Sequence, residues 1–372
     1  MGVTTAHSRR WLAGIVGGLA VIVTAGVTPA AAQDDHAGTQ RLLEQYQSMA
    51  GPGAAVHAGD RDGAWTLSAG TADTRVNRPI GAGDHFRNGS QTKTFTAAVV
   101  LQLVDEGLVD LDAPIETYLP GVVTGRYDGT AISVRQLLQH TSGMVRDVRD
   151  ARPAADGTYP LAELVRSAMD EPPQAAPGAE VRYSNVAYLV LGLLIEERTG
   201  TDAGSAITER IIEPFGLAGT SFPEPGERAL AEPVVRGYTG GRIPPFFLWR
   251  DTTTAVEMSF WSTAGAMQST MEDSATFFRA LLDGEVISEA ALAEMRDTLP
   301  AGSGGAGLGI DEIPLSCGGS AWAKNGGMNT GHTSTTAVTD DGRFASIVTN
   351  TVASSTAQGT AALGVLDSAL CE

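Results

Sequence analysis

Lysine is almost missing from this chain. Of its 25 lysines and arginines only two, Lys93 and Lys324, are lysine. Arginine keeps its proton inside a protein, whereas a desolvated lysine can release one and act as a base, or serve as a compact point charge. The two lysines are thus either compositional drift or places where a guanidinium will not do, and their neighbours decide between these. Positive charge is short overall: against 43 Asp and Glu the net charge is -18, which repels polyphosphate backbones and anionic lipid and argues against a nucleic-acid partner. Charged residues make up only 18% while hydrophobic ones reach 42%, and Gly and Pro form no tracts. Disordered, collagen-like, coiled-coil and linker-rich readings therefore fall away. The 372 residues suffice for one large or two ordinary domains with a sizeable core.

Long apolar runs are also missing, except at the start. Arg9-Arg10, the apolar run from Trp11 to Val27 and Ala30-Ala31-Ala32 read as a cleavable signal peptide over residues 1–32, with the mature chain starting near Gln33. The run is short, rich in Gly and Ala, and followed by Asp34 and Asp35, which speaks against a retained anchor. Ser8-Arg9-Arg10 suits a twin-arginine route as well as an ordinary one. No cysteine follows the run, which excludes a lipoprotein, and no other stretch is apolar enough to span a bilayer. The expectation is a secreted, extracellular protein without membrane contact once the signal is removed. Cys317 and Cys371 form an even pair suited to that oxidising compartment. A disulfide between them would be worth about 4 kcal/mol in the chain-entropy model; two free buried thiols are the alternative.

Beyond the signal, Arg41 to Met49 has a helical pattern, and Ala54 to Ala58 with Ala64 to Ala69 read as a hairpin turning at Asp60 to Gly63. A second hairpin, Thr335 to Thr339 with Phe344 to Asn350, turns at Asp340-Asp341-Gly342-Arg343, and Ala357 to Leu370 closes the chain as a helix. Strands at both ends suggest one sheet built from both ends. Between them the pattern is mainly helical: Ser90 to Glu106, Val134 to Gln139, Leu161 to Met169, Asn185 to Thr199 closed by Gly200, and Ser205 to Ile212. Gly219 to Phe260 reads as a loop broken by Pro223, Pro225, Pro233, Pro244 and Pro245, with Phe246, Phe247 and Trp249 suggesting a site rim or lid. The expected class is α/β (α+β), an antiparallel sheet flanked by helices. Residues 33–112 and 258–372 would form the sheet domain, and 113–257 a mainly helical insert with a loop-rich lid.

Chemistry gathers at three places. Ser90-Gln91-Thr92-Lys93 opens an almost wholly apolar helix, and a spacing of three puts hydroxyl and amine on one face. A helix N-terminus favours developing negative charge, and burial would push Lys93 toward a neutral, base-competent amine. Tyr183-Ser184-Asn185 stands before the apolar helix from Val186 to Ile195, either as a plain helix cap or with phenol and amide aimed at one cavity. Lys324-Asn325-Gly326-Gly327 follows a probable strand from Gly319 to Ala323, and glycine there lets a backbone approach a ligand closely.

In this order, Ser-x-x-Lys, Tyr-x-Asn and a strand bearing Lys and Gly resemble the serine DD-peptidase and class C beta-lactamase family. The likeness extends to Leu137-Leu138-Gln139-His140-Thr141-Ser142-Gly143, to Leu103-Val104-Asp105-Glu106-Gly107 with Leu111-Asp112 and Tyr118-Leu119-Pro120, and to Ala264-Gly265-Ala266 before Phe277-Phe278. The resemblance implies a five-stranded antiparallel sheet flanked by helices, with the site in the groove beside a helical region. It implies an acyl-enzyme on Ser90, with proton transfers shared by Lys93 and Tyr183 and with Asn185 holding Lys93 and a substrate amide. The oxyanion hole would be the backbone N–H of Ser90 and that of Gly327 or Met328. No metal or organic cofactor is needed, the substrate is a small peptide, ester or beta-lactam, and His140 and Ser142 read as structural. Oligomeric state stays open.

The third motif departs from the family pattern of a cation, a small or hydroxyl residue, then Gly. Counting back without gaps from Gly331 places Asn325-Gly326-Gly327 on it and loses the cation; one inserted residue places Lys324-Asn325-Gly326 there and keeps it. The scarcity of lysine favours the second. Met328 stands where a second hydroxyl often helps, and Asp311 and Glu312 stand where related peptidases carry arginine for a terminal carboxylate, which an acidic pair would repel. An esterase or amidase acting on a neutral acyl group is thus as serious a reading as a D-alanyl-D-alanine carboxypeptidase. The missing Gly-x-Ser-x-Gly elbow and the missing His-Glu-x-x-His argue against the α/β-hydrolase version of an esterase. The contrasting reading is a catalytically weak or inactive protein that holds a cell-wall peptide or beta-lactam.

Overall fold

The computed structural model describes residues 1–2, 36–243 and 246–372; the expected signal peptide and its cleavage site lie outside the described residues. From His36 the chain forms helix α1 (Ala37–Met49), the hairpin β1 (Gly53–Gly59) and β2 (Ala64–Gly70), and the short strand β3 (Phe86–Arg87). Asp60 accepts hydrogen bonds from the amides of Asp62 and Gly63, at 2.8 and 3.1 Å, which fixes the hairpin turn. A single tight turn, Gly89–Gln91, leads into α2 (Thr92–Asp105), followed by α3 (Val134–Leu138), α4 (Leu161–Ala168), α5 (Asn185–Thr199) and α6 (Ala203–Ile207). Gly200 ends α5 at φ 73°, the left-handed cap that glycine adopts without strain.

The stretch read as loop contains a hairpin, β4 (Tyr238–Ile243) and β5 (Phe246–Asp251). Pro244 and Pro245 lie outside the described residues, and prolines beyond the ends of two strands do not exclude strands on either side. After it come α7 (Ser262–Gly265), β6 (Gln268–Ser269), α8 (Met271–Leu282) and α9 (Glu289–Arg296). The short strands β7 (Leu299–Ala301), β8 (Gly304–Ala306) and β9 (Asp311–Pro314) precede β10 (Ser320–Met328), β11 (His332–Thr339) and β12 (Phe344–Thr349), and α10 (Thr356–Cys371) closes the chain.

Both chain ends do build one sheet. Its order is β2-β1-β12-β11-β10-β9-β8-β7, eight strands rather than the five implied by resemblance, because three short strands extend it beyond β10. On one face Leu43 and Tyr46 of α1 and Val365 and Leu366 of α10 cover Ala54, Val56, Ala321, Ala323 and Ile347. On the other, Trp322, Val338 and Phe344 join the main core with Phe277 and Phe278 of α8. A sheet covered on both faces shows apolar runs rather than alternation, as Ala54 to Ala58 does. Helix α2 runs through the middle of the core, buried on nearly every side, with Phe95 stacked on Phe277 at 3.8 Å between ring centres. Cys317 and Cys371 meet with their sulfur atoms 2.03 Å apart, joining the segment before β10 to the end of α10.

The edge of β10 sets up the site. Along β10, strand β9 covers Ser320 to Ala323 alone, whereas β11 pairs with Ala321 to Met328. Residues 324–328 are thus flanked by β11 on one side and lie against the Gly89–Gln91 turn on the other.

Candidate active site

The site is assembled from the starts of two buried helices and the free edge of one strand. Ser90 sits in the turn before α2 and Lys93 in the first turn of α2 itself, so the hydroxyl and amine meet at 3.2 Å. Ser184 caps α5, its hydroxyl accepting from the Ala187 amide at 3.0 Å and donating to the Val145 carbonyl at 2.7 Å. That anchorage aims its neighbours: the Tyr183 hydroxyl donates to Ser90 Oγ at 2.7 Å and Asn185 Oδ1 accepts from Lys93 Nζ at 2.7 Å. The capping and site readings of Tyr183-Ser184-Asn185 are therefore compatible, since the middle residue caps and the outer two reach Ser90 and Lys93.

Lys93 is fully buried and also donates to the Ala264 carbonyl at 2.5 Å. Burial holds its pKa below the ordinary lysine value, against the opposing pull of Tyr183 and Asp147. Burial alone would raise the Tyr183 phenol, but the Lys93 and Lys324 ammonium groups, with hydrogen bonds to Lys93 and Ser90, carry it below its ordinary value. Both groups are thus displaced below their ordinary values, each partly through the other.

Along β10 the side chains alternate. Lys324 and Met328 are buried, Asn325 is exposed. Lys324 Nζ lies 5.9 Å from the centre of the Tyr183 ring and donates to Asp311 Oδ2 at 3.0 Å. Burial pulls its pKa down, yet Asp311 and Tyr183 outweigh this and hold it above the usual value, so it stays an ammonium. Met328 packs with Met258 and Ala266 and is a core residue. The glycines let two backbones touch. A Cβ on Gly326 would come within 1.9 Å of the Asn88 carbonyl oxygen and 3.1 Å of Ser90 N, and one on Gly89, at φ 54°, within 2.8 Å of Gly327 N.

Three partners escaped the sequence reading: Asp147, which accepts from Asn185 Nδ2 at 2.5 Å, the Ala264 carbonyl, and Asp311 as the counter-ion of Lys324. Asp147 carried no signal, being one acid in the run 146–150. Asp311 could have been suspected from the scarcity of lysine, since a buried ammonium needs a carboxylate. Among the described residues no group of His, Cys, Asp and Glu could hold a metal ion, and no helix is long and apolar enough to cross a membrane.

A model of the Beta-lactamase family matches residues 39–369. The chain belongs to that family. Among solved members, a D-stereospecific amidohydrolase from Streptomyces sp. shares 36% sequence identity with a TM-score of 0.79, over 91% of this chain and 99% of that one. A D-amino acid amidase from Ochrobactrum anthropi SV3 shares 25% with a TM-score of 0.77, over 90% and 97%. Esterase EstB of Burkholderia gladioli is 32% identical over 181 residues, 45% of this chain and 46% of EstB. The chain spans less than half the length of the curated relatives it matches.

Proposed function

We propose that this protein is a serine hydrolase that cleaves amides or esters through an acyl-enzyme on Ser90. The observation that carries the reading is the double hydrogen bond to one oxygen: Ser90 Oγ is held by the Tyr183 hydroxyl at 2.7 Å and by Lys93 Nζ at 3.2 Å. In the reaction Oγ bonds to the substrate carbonyl carbon and its proton passes to the Tyr183–Lys93 pair. The carbonyl oxygen takes the negative charge beside the amides of Ser90 and Gly327, which belong to the two backbone segments brought into contact at Gly89 and Gly326. Collapse of the adduct breaks the bond to the leaving amine or alcohol, which receives the proton, and water then hydrolyses the acyl-Ser90 ester by the same steps reversed.

The substrate we propose is an amide of a D-amino acid or a simple ester, in line with the relatives named for D-stereospecific amidohydrolase, D-amino acid amidase and esterase activity. Asp311 supports this, because it already neutralises the ammonium that a substrate carboxylate would seek. D-phenylalanine amide, L-phenylalanine amide, p-nitrophenyl acetate and a peptide ending in D-Ala-D-Ala are the test set, with intact mass recorded during turnover. Release from the D-amide or the ester, with a transient acyl adduct, is the expected result. An adduct that persists without turnover would favour the binding-protein reading, and no adduct at all would sink the proposal. Export, and a disulfide joining Cys317 to Cys371 in the secreted protein, belong to the same proposal.

The face on which each side chain of β10 lies supports Lys324-Asn325-Gly326 as the third motif. Lys324→Ala should slow acylation of Ser90 by about tenfold or more, about 1.4 kcal/mol in the barrier, because it removes the charge beside Tyr183 and strands Asp311. Lys324→Arg should restore little, since a planar guanidinium does not fit a buried ammonium's place. Asn325→Ala should stay within about threefold, about 0.7 kcal/mol. Stopped-flow acylation with the ester reads all three; a silent Lys324→Ala with a slow Asn325→Ala would reverse the assignment.

A further inference from the structure

We infer that His140 is a positioning residue that acts through Tyr183, gripping the tyrosine from both flanks. The inference rests on the hydrolase reading above only in taking Tyr183 as a reacting group. The His140 carbonyl accepts from the Arg182 amide at 2.7 Å, and His140 Nδ1 accepts from the Ser184 amide at 3.2 Å. Between these two bonds stands Tyr183, and the imidazole lies against its ring with centroids 4.3 Å apart and planes at 34°. One residue therefore fixes the backbone before the phenol, the backbone after it and the face of the ring.

Several features suit His140 to this task rather than to filling space. Its backbone is left-handed, at φ 61°, a conformation uncommon for a residue with a side chain, and this is what turns both its carbonyl and its ring toward the 182–184 segment. The turn is held from behind, where the amides of Thr141 and Ser142 both donate to the Gln136 carbonyl, at 2.9 and 3.0 Å. Tyr188 backs the imidazole at 5.2 Å and is itself tied to the Leu138 carbonyl at 2.8 Å. Because Ser184 N is a donor, Nδ1 has to be the unprotonated nitrogen, which requires a neutral ring with its proton on Nε2. Burial, followed by the charges of Lys324, Lys93 and Arg146, keeps His140 well below the ordinary histidine pKa and so maintains that state. Of these features the acceptor for the Ser184 amide and the left-handed turn are the ones on which the hold on Tyr183 chiefly depends.

The experiment measures the saturating rate and the half-saturation constant for labelling of Ser90 by a fluorophosphonate, which needs no natural substrate. His140→Phe keeps a ring against Tyr183 but removes the acceptor for Ser184 N, whereas His140→Asn keeps an acceptor and tolerates the left-handed backbone. Expected are a tenfold or greater fall in the saturating rate for His140→Phe, with half-saturation within threefold, and near wild-type labelling for His140→Asn. In a Tyr183→Phe background the His140→Phe change should cost less than twofold more, since a residue acting through Tyr183 has nothing left to position. An undiminished loss in that background, or wild-type labelling by His140→Phe, overturns the inference. If His140→Phe does not fold, His140→Leu, which also lacks the acceptor, takes its place beside His140→Asn: a tenfold or greater gap between the two supports the clamp, and equal labelling refutes it. Labelled Ser90 without turnover of any amide or ester would count against the hydrolase reading and leave the His140 comparison intact, whereas an unlabelled wild type would sink both.

Discussion

Ser90→Ala is expected to abolish covalent labelling and to reduce turnover of the ester by at least about a thousandfold, the scale on which loss of a nucleophile is felt when the remaining site still binds substrate. The expectation is specific because the substitution disturbs little else. Ser90 lies in the short turn before α2, half-buried, and its side chain makes contact with Tyr183 and Lys93. When Oγ is removed, Lys93 keeps Asn185 and the Ala264 carbonyl as partners, so no buried ammonium is left without an acceptor. Thermal unfolding should therefore stay within a few degrees of wild type while the mass shift with fluorophosphonate disappears. Equal labelling of the alanine variant, mapped by peptide digestion to another residue, would remove Ser90 from the mechanism and with it the proposed function.

The parts of this site that were legible in the sequence are those fixed by short spacing. Ser90 and Lys93 are three apart across a helix start, and Tyr183 and Asn185 are two apart across another, so local geometry alone brings each pair to one side. That the two pairs meet each other depends on how α2 and α5 pack, which no local pattern encodes. The partners that escaped notice are of this second kind: Asp147 and Asp311 lie 38 and 13 residues from the side chains they bind. The fold divides in the same way. The hairpins with strong turn signals, at Asp60 to Gly63 and at Asp340 to Gly342, form where expected. By contrast, β7, β8 and β9 have three or four residues each, too few to show a period, and they are strands because each finds an edge to pair with, β9 on β10, β8 on β9 and β7 on β8.

The third motif illustrates how a strand can hide its register in sequence and reveal it in space. Counting residues left two alignments open, one with Lys324 and one with Asn325 in the cation's place. A shift by one residue in a strand exchanges its two faces, so the alignments differ in which residues look toward Ser90. Here Lys324, Gly326 and Met328 share the face toward Tyr183, Asn88 and Ala266, while Asn325 and Gly327 are exposed. The cation on that face is not free, because Asp311 holds it, and the same carboxylate is the more exposed of the two, at 36% against 3% for the lysine side chain. A ligand carboxylate approaching Lys324 would therefore have to compete with Asp311 for an ammonium that is already paired.

Gly326→Ala and Gly327→Ala should separate by about a hundredfold, although the two glycines are neighbours. A Cβ on Gly326 would stand 1.9 Å from the Asn88 carbonyl oxygen, 2.9 Å from its carbon and 3.1 Å from Ser90 N. All three are backbone atoms, so no rotamer change relieves the clash; either the strand or the Gly89–Gln91 turn has to move. The strand is pinned by its pairing with β11 and by the ion pair of buried Lys324 with Asp311, which leaves the turn, and Ser90 with it, to shift by about 1 Å. Displacements of about 1 Å cost about a hundredfold in rate, and loss of one oxyanion donor costs about a hundred- to a thousandfold. Overpacking should also lower stability by about 1–3 kcal/mol. A Cβ on Gly327, in contrast, meets nothing within 4 Å, and alanine there should leave the acylation rate within about threefold, about 0.7 kcal/mol. The measurement is the acylation rate of both variants with the same ester, at a temperature where circular dichroism shows each to be folded. If Gly327→Ala were the damaged variant and Gly326→Ala the silent one, the close approach of β10 to Ser90 would have to be abandoned, and the alignment that places Asn325 in the cation's position would stand in its place.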